Sequence, residues 1–187
     1  MNISPVRRFG IRDLVAAAGF VVLACACGSA VWAGHAPVDP QWLAVEATKT
    51  SNWEVAGYSK ARLITVSENS GDGADGLRVV EIGVQIVVDD GWKTYAADPG
   101  PLGLPPRFDW SGSTNFQSFE IAWPTPHQIG TKADPVLGYG GTVILPVKIT
   151  LRDAGVATGV RLALDYAVCS NICVPVHADL SLDIDRD

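Results

Sequence analysis

The sequence predicts an all-β domain, a sandwich of immunoglobulin-like architecture, on three observations. Apolar and polar residues alternate in several runs, turn-forming Gly, Pro, Asp and Asn separate those runs, and no segment of helical length carries apolar residues at helical spacing. The clearest run is Leu77 to Val88, with Val80, Ile82, Val84, Ile86 and Val88 on one face and Glu81, Gly83 and Gln85 on the other. Ala61 to Ser67 is a β-rich run before it. Between the two, Glu68 to Gly76 has the Gly, Asn and acidic composition of an exposed loop. Asp89-Asp90-Gly91 is a turn signal, Trp92 to Tyr95 is a short extended segment, and Asp98-Pro99-Gly100-Pro101 opens a long Pro/Gly-rich loop. Strands resume at Phe116 to Trp123, Thr142 to Leu151, Val160 to Cys169 and Cys173 to Ile184, so about seven or eight are expected in all.

The N-terminus reads as a targeting segment. Arg7, Arg8 and Arg12 precede an uncharged stretch from Leu14 to Ala33 that ends in small residues, the order of a secretory signal with cleavage after Ala30 or Ala33. Val22-Leu23-Ala24-Cys25 also resembles a lipobox, and the stretch is long enough to span a bilayer, so lipidation and an uncleaved anchor stay open. The expected organisation is a signal peptide over 1–33, a lead-in over 34–60 with one edge strand at most, and a single β-domain over 61–187. The formal net charge is −6, and the leader takes three arginines and one aspartate with it, leaving a more acidic domain. An acidic surface argues against nucleic-acid binding, which needs a basic footprint.

Of the four cysteines, Cys25 and Cys27 fall in the leader, so the domain keeps Cys169 and Cys173. Successive strand residues point to opposite faces, which puts Leu162, Leu164, Tyr166 and Val168 inward and Arg161, Ala163, Asp165, Ala167 and Cys169 outward. On the next strand Val174, Val176, Ala178, Leu180, Leu182 and Ile184 are inward, with Cys173, Pro175, His177 and Asp179 outward. Ser170-Asn171-Ile172 is then a three-residue hairpin loop, with Asn available for a left-handed position. In that register Cys169 faces Cys173, Ala167 faces Pro175 and Asp165 faces His177. Directly opposed residues lie about 4.5 to 5.5 Å apart between Cα atoms, which a disulfide can bridge.

Three readings of this pair remain on the residues alone. A staple is the ordinary role of an exported cysteine pair. So short a loop, however, leaves little denatured-state entropy to remove, less than the roughly 3 kcal/mol of a 15-residue loop, and exposed disulfides are the exchangeable ones. The third reading is Cu(I), since Cys169, Cys173 and His177 form C-x3-C-x3-H. On a strand His177 lies ~13 Å from Cys173, which speaks against a shared ion, so no metal or other cofactor is expected. The plain role of His177 is a surface histidine paired with Asp165.

Four motifs occur in order: Asp90-Gly91-Trp92-Lys93-Thr94-Tyr95, Gly103-Leu104-Pro105-Pro106-Arg107-Phe108-Asp109-Trp110-Ser111-Gly112-Ser113, Ile144-Leu145-Pro146-Val147, and Tyr166-x-x-Cys169-x3-Cys173-Val174-Pro175. Together they resemble the N-terminal periplasmic domain of the DsbD thiol:disulfide reductases, in particular its ScsB-like branch, from about Leu77 to Ile184. The resemblance implies a periplasmic, monomeric immunoglobulin-like domain, a protein thiol–disulfide oxidoreductase if it is catalytic. Its cysteines, matched by Cys169 and Cys173, would take electrons from a membrane-embedded DsbD/CcdA-like thiol reductase and pass them to thioredoxin-like proteins. Lys93 and Tyr95 match the strand that lies beside the cysteines in such domains; Asp165 and His177 come from the parity argument above. The chain ends at Asp187, so the resemblance implies an electron source in another protein. Thr125 to Tyr139 occupies the place of the family's protective cap loop, but reads His127-Gln128-Ile129 where an aromatic is expected over the disulfide. Trp110 and Tyr139 are the alternative shields, or else core anchors.

Overall fold

The computed structural model describes residues 49–67, 77–130 and 135–185. The expected signal over 1–33, the lead-in up to residue 48 and the acidic loop over 68–76 lie outside the described residues. The strands are β1 (Glu54–Ala56), β2 (Ser59–Ser67), β3 (Val79–Val88), β4 (Lys93–Tyr95), β5 (Arg107–Asp109), β6 (Phe116–Ile121), β7 (His127–Gln128), β8 (Leu137–Gly140), β9 (Thr142–Leu151), β10 (Thr158–Cys169) and β11 (Cys173–Ile184). They form two antiparallel sheets, in the orders β1-β2-β3-β9-β6 and β11-β10-β4-β8-β7, and β5 adds to β10 on the side away from β11.

The alternating runs explain why these segments pair. Val80, Ile82, Val84, Ile86 and Val88 of β3 are buried, as are Val143, Leu145, Val147, Ile149 and Leu151 of β9. From the other sheet Val160, Leu162, Leu164, Tyr166 and Val168 of β10 complete the same core. A one-residue slip would turn each set to solvent, so the hydrophobic pattern fixes register. β10 and β11 pair without interruption from Thr158↔Ile184 to Cys169↔Cys173.

The count of seven or eight strands falls short of the eleven among the described residues. β1 is the one edge strand that the lead-in allowed, and the strands beyond the count are β5, β7 and β8 inside segments expected as loops. All four have two to four residues, too few for a period of two to register in the sequence.

One buried polar link joins the sheets near the hairpin tip. Tyr166 and Ser59 hydroxyls lie 2.8 Å apart. Ser59 gives its single proton to the Ala56 carbonyl at 3.0 Å, so the tyrosine donates to the serine. Burial raises the Tyr166 pKa, which keeps the phenol protonated for this role.

Candidate functional site

The β10–β11 hairpin carries the site. Cys169 and Cys173 are joined by a disulfide with their Cα atoms 4.1 Å apart. That is the short spacing of a pair lacking ladder hydrogen bonds, so Pro175, two residues on, also lies in such a pair and its missing N–H faces the open edge of β11. The loop is closed by the Ser170 N–H donating to the Ile172 carbonyl at 2.9 Å, with Ile172 63% exposed at the tip. Cys173 is exposed and Cys169 half-buried.

This asymmetry comes from β4. Val168 and Cys169 pair with Thr94 and Lys93, and the Thr94 hydroxyl donates to the buried Ala167 carbonyl at 3.0 Å. Lys93 and Tyr95 therefore stand on the face that bears the disulfide. The Tyr95 oxygen lies 3.1 Å from Cys169 Sγ and 3.3 Å from Cys173 Sγ. A disulfide sulfur carries no proton, so the phenol is the donor to the pair. Its ring sits in a small cluster with Val136 and Ala167, against which Ile129 and Cys169 also pack.

The outward face of the hairpin is thus covered near its tip, which alternation alone did not indicate: Ala167, on the polar side by parity, is 4% exposed. Ile129 is the residue brought over this cluster, and a lone apolar side chain after His127-Gln128 was the one sequence signal for it. Trp110 and Tyr139 belong to the main core. Trp110 stacks with Phe116, and the Tyr139 hydroxyl donates to the Pro124 carbonyl at 2.8 Å, its pKa raised by burial to about 12. They anchor the core and do not shield the disulfide.

Two glycines admit this packing. A Cβ on Gly138, paired with Tyr95, would lie 2.1 Å from the Thr94 carbonyl oxygen and 2.5 Å from Ile129 Cδ1. A Cβ on Gly103 would lie 2.3 Å from Pro99 Cβ and 3.1 Å from the Tyr95 ring. Neither position was singled out by the sequence reading for this role. The Lys93 ammonium donates to the Ile129 carbonyl at 3.1 Å.

Asp165 and His177 are opposed, as the register required, with Nδ1 and Oδ1 2.6 Å apart. Nε2 lies 3.3 Å from Asp179 Oδ1, so both ring nitrogens are engaged by carboxylates. The bond to Asp165 raises the His177 pKa above its usual 6.5, desolvation opposing it and Asp179 adding to it. Among the described residues no group of three or more His, Cys, Asp or Glu is arranged to hold a metal ion.

Fold and site together define a β-sandwich that carries a disulfide at the tip of its last hairpin, with Cys173 exposed and Cys169 half-buried. The model of the N-terminal domain of the thiol:disulfide interchange protein DsbD matches residues 60–184, and the chain belongs to that family. Among solved structures it is similar to the N-terminal periplasmic domain of ScsB from Proteus mirabilis, at 22% identity and a TM-score of 0.56. That match covers 72% of this chain and 51% of the other, so the chain spans about half the length of the ScsB domain. A more distant likeness is to the reduced N-terminal domain of Neisseria meningitidis DsbD, at 15% identity, a TM-score of 0.36, and coverage of 66% and 82%. No curated protein matches the sequence significantly.

Proposed function

We propose that this domain relays reducing equivalents by thiol–disulfide exchange in the periplasm, between a membrane-embedded thiol reductase and thioredoxin-like proteins, with Cys169 and Cys173 as the reacting groups. The observation that carries the proposal is the place of the disulfide, at the tip of a hairpin already paired along its whole length. It closes a separation of four residues at the end of an uninterrupted pairing, and Cys173 is exposed. Such a loop contributes less than the roughly 3 kcal/mol of a 15-residue one, and exposed bonds are the exchangeable ones.

Access sets the order of attack. A thiolate of an incoming protein dithiol attacks Sγ of the exposed Cys173, a mixed disulfide forms, and the S–S bond electron pair leaves on Cys169. The partner's second thiol then attacks the mixed disulfide, so the partner is oxidised as this pair becomes two thiols. Passing electrons onward is the same sequence reversed. Tyr95 stands over the reacting sulfurs, and the His177–Asp165 pair sets charge farther down the same face.

The midpoint potential of the pair in a glutathione series tests this. A value above about −300 mV is expected, and one below it would assign the bond a structural role. Cys169→Ser, which leaves Cys173 to react, should trap a mixed disulfide with a thioredoxin-like protein, and Cys173→Ser should trap far less.

A further inference from the structure

Lys60 and Arg62 are cations without a counter-charge. Alternation along β2 sends Ala61 and Leu63 into the core and these two outward, on the sheet that does not bear the cysteines. There they share one aromatic ring: Lys60 Nζ lies 4.7 Å and Arg62 Cζ 4.3 Å from the ring centroid of the half-buried Trp53. The Arg62 Nε–H donates to Gln85 Oε1 at 2.7 Å, and neither cation has a further hydrogen bond or an ion pair among the described residues. Val55, directly opposite Lys60 in the register, is 74% exposed beside them. An exposed ring attracts a cation only weakly, and two like charges on one ring repel, so an anion placed over them is attracted by both. This basic patch stands on a chain whose formal net charge is −6.

We propose that Trp53, Val55, Lys60 and Arg62 form a docking surface for an anionic phospholipid bilayer. The chemistry of the patch matches the headgroup region on both of its parts. Lipid phosphates complement the ammonium and the guanidinium, whose apolar stems lie along the surface while the charged heads reach outward. The indole and the exposed valine suit the boundary between headgroups and acyl chains, where tryptophan is enriched; a soluble anion would satisfy the cations and leave both without a partner. Chain length points to the same occupant. The described residues begin at Lys49, four before Trp53, and only residues 34–48 separate it from the apolar stretch over 14–33. Fifteen residues reach at most about 50 Å, so a bilayer that receives that stretch lies within range of the patch.

The docking stands on the patch alone; its use rests on the proposed relay. Ser59, next to Lys60, bonds the Tyr166 hydroxyl, and a Cβ on Gly57 would lie 3.4–3.9 Å from the side chains of Val176, Val174 and Val168. The β1–β2 turn therefore sits beneath the cysteine hairpin, and the patch and the disulfide occupy the same end of the sandwich on opposite outer faces. Stacked sheets lie about 10 Å apart, so a domain resting on Lys60 and Arg62 holds the disulfide roughly 20 Å from the headgroups. That is the neighbourhood in which the thiols of a membrane-embedded reductase are to be met.

Acetylation of the lysines, read by mass spectrometry on the full chain, tests this with Lys93 of the opposite sheet as the internal reference. Vesicles of phosphatidylcholine and phosphatidylglycerol in equal parts should slow the labelling of Lys60 several-fold relative to Lys93. Vesicles of phosphatidylcholine alone, which receive the apolar stretch equally well, should not, and neither should inorganic phosphate. Arg62→Gln should reduce the shielding about fivefold, the worth of one basic residue at an anionic surface, and Trp53→Ala should reduce it as well. Unslowed labelling on anionic vesicles, equal slowing on neutral ones, or the same slowing by phosphate overturns the proposal. Failure of the relay would appear instead as no exchange between the wild-type protein and protein dithiols, with Lys60 still shielded.

Discussion

The hydroxyl of Tyr95 touches both sulfurs, and its worth to the site depends on oxidation state. To a neutral disulfide it is a weak donor; to a thiolate it is a charge-assisted one, and so it favours the reduced pair. Tyr95→Phe should leave the fold in place and slow reduction by dithiothreitol about three- to tenfold, the worth of a hydrogen bond of roughly 0.5–1.5 kcal/mol. Stopped-flow reduction of the two proteins checks this, and equal rates would remove the hydroxyl from the chemistry. His177 makes a prediction with a sign. Its pKa is raised on folding, so its contribution is complete below about 6.5, the unfolded value, and is lost as pH rises through the folded pKa. The melting-temperature difference between wild type and His177→Gln should therefore shrink on going from pH 6 to pH 9, and Asp165→Asn should lower the His177 pKa in an NMR titration. The partners of both cysteines and of His177 were legible because parity and a three-residue loop settle register. The place of Tyr95 beside the sulfurs came from the family resemblance and not from parity, since it depends on how β4 docks against β10, a pairing between segments more than 70 residues apart.

The hairpin and its cover differ in how firmly the sequence specifies them. β10 and β11 are twelve residues each with clean alternation, so their pairing, face assignment and tip could be derived. The same continuity means that the disulfide is not what holds them together. Cys173→Ser should melt cooperatively with a stability loss below about 3 kcal/mol, as read from urea unfolding. β8, four residues reading Leu-Gly-Tyr-Gly, carries no such signal, and its place is set by what a glycine permits. Gly138→Ala puts a methyl group onto the Thr94 carbonyl, and the strand must move. A loss of about 1–3 kcal/mol is expected, accompanied by faster reduction of the disulfide as Ile129 is displaced from the cluster beside Cys169.

At the scale of the molecule, the two sheets share one core that does not include the cysteines. Ile149 and Leu162, both essentially buried, face into it from opposite sheets, and truncating either to Ala should cost about 2–5 kcal/mol. Changing oxidation state should do far less. Far-ultraviolet circular dichroism of the oxidised and reduced forms should superimpose, with amide-exchange differences confined to residues 93–95, 127–130, 136–140 and 169–173. The sandwich was foreseeable from alternation and turn signals, whereas the division of strands between sheets was not, because pairing partners are chosen by contacts remote in sequence. Both sulfurs of the disulfide belong to one five-residue stretch, while the phenol, the cation and the covering isoleucine come from positions 40 to 76 residues upstream of Cys169. Genetic change can thus retune the reactivity of the bond without disturbing the bond itself. A lineage could shift potential, partner choice or exposure by altering β4 or the segment before β8, and an engineer could graft the hairpin and design its surroundings afresh.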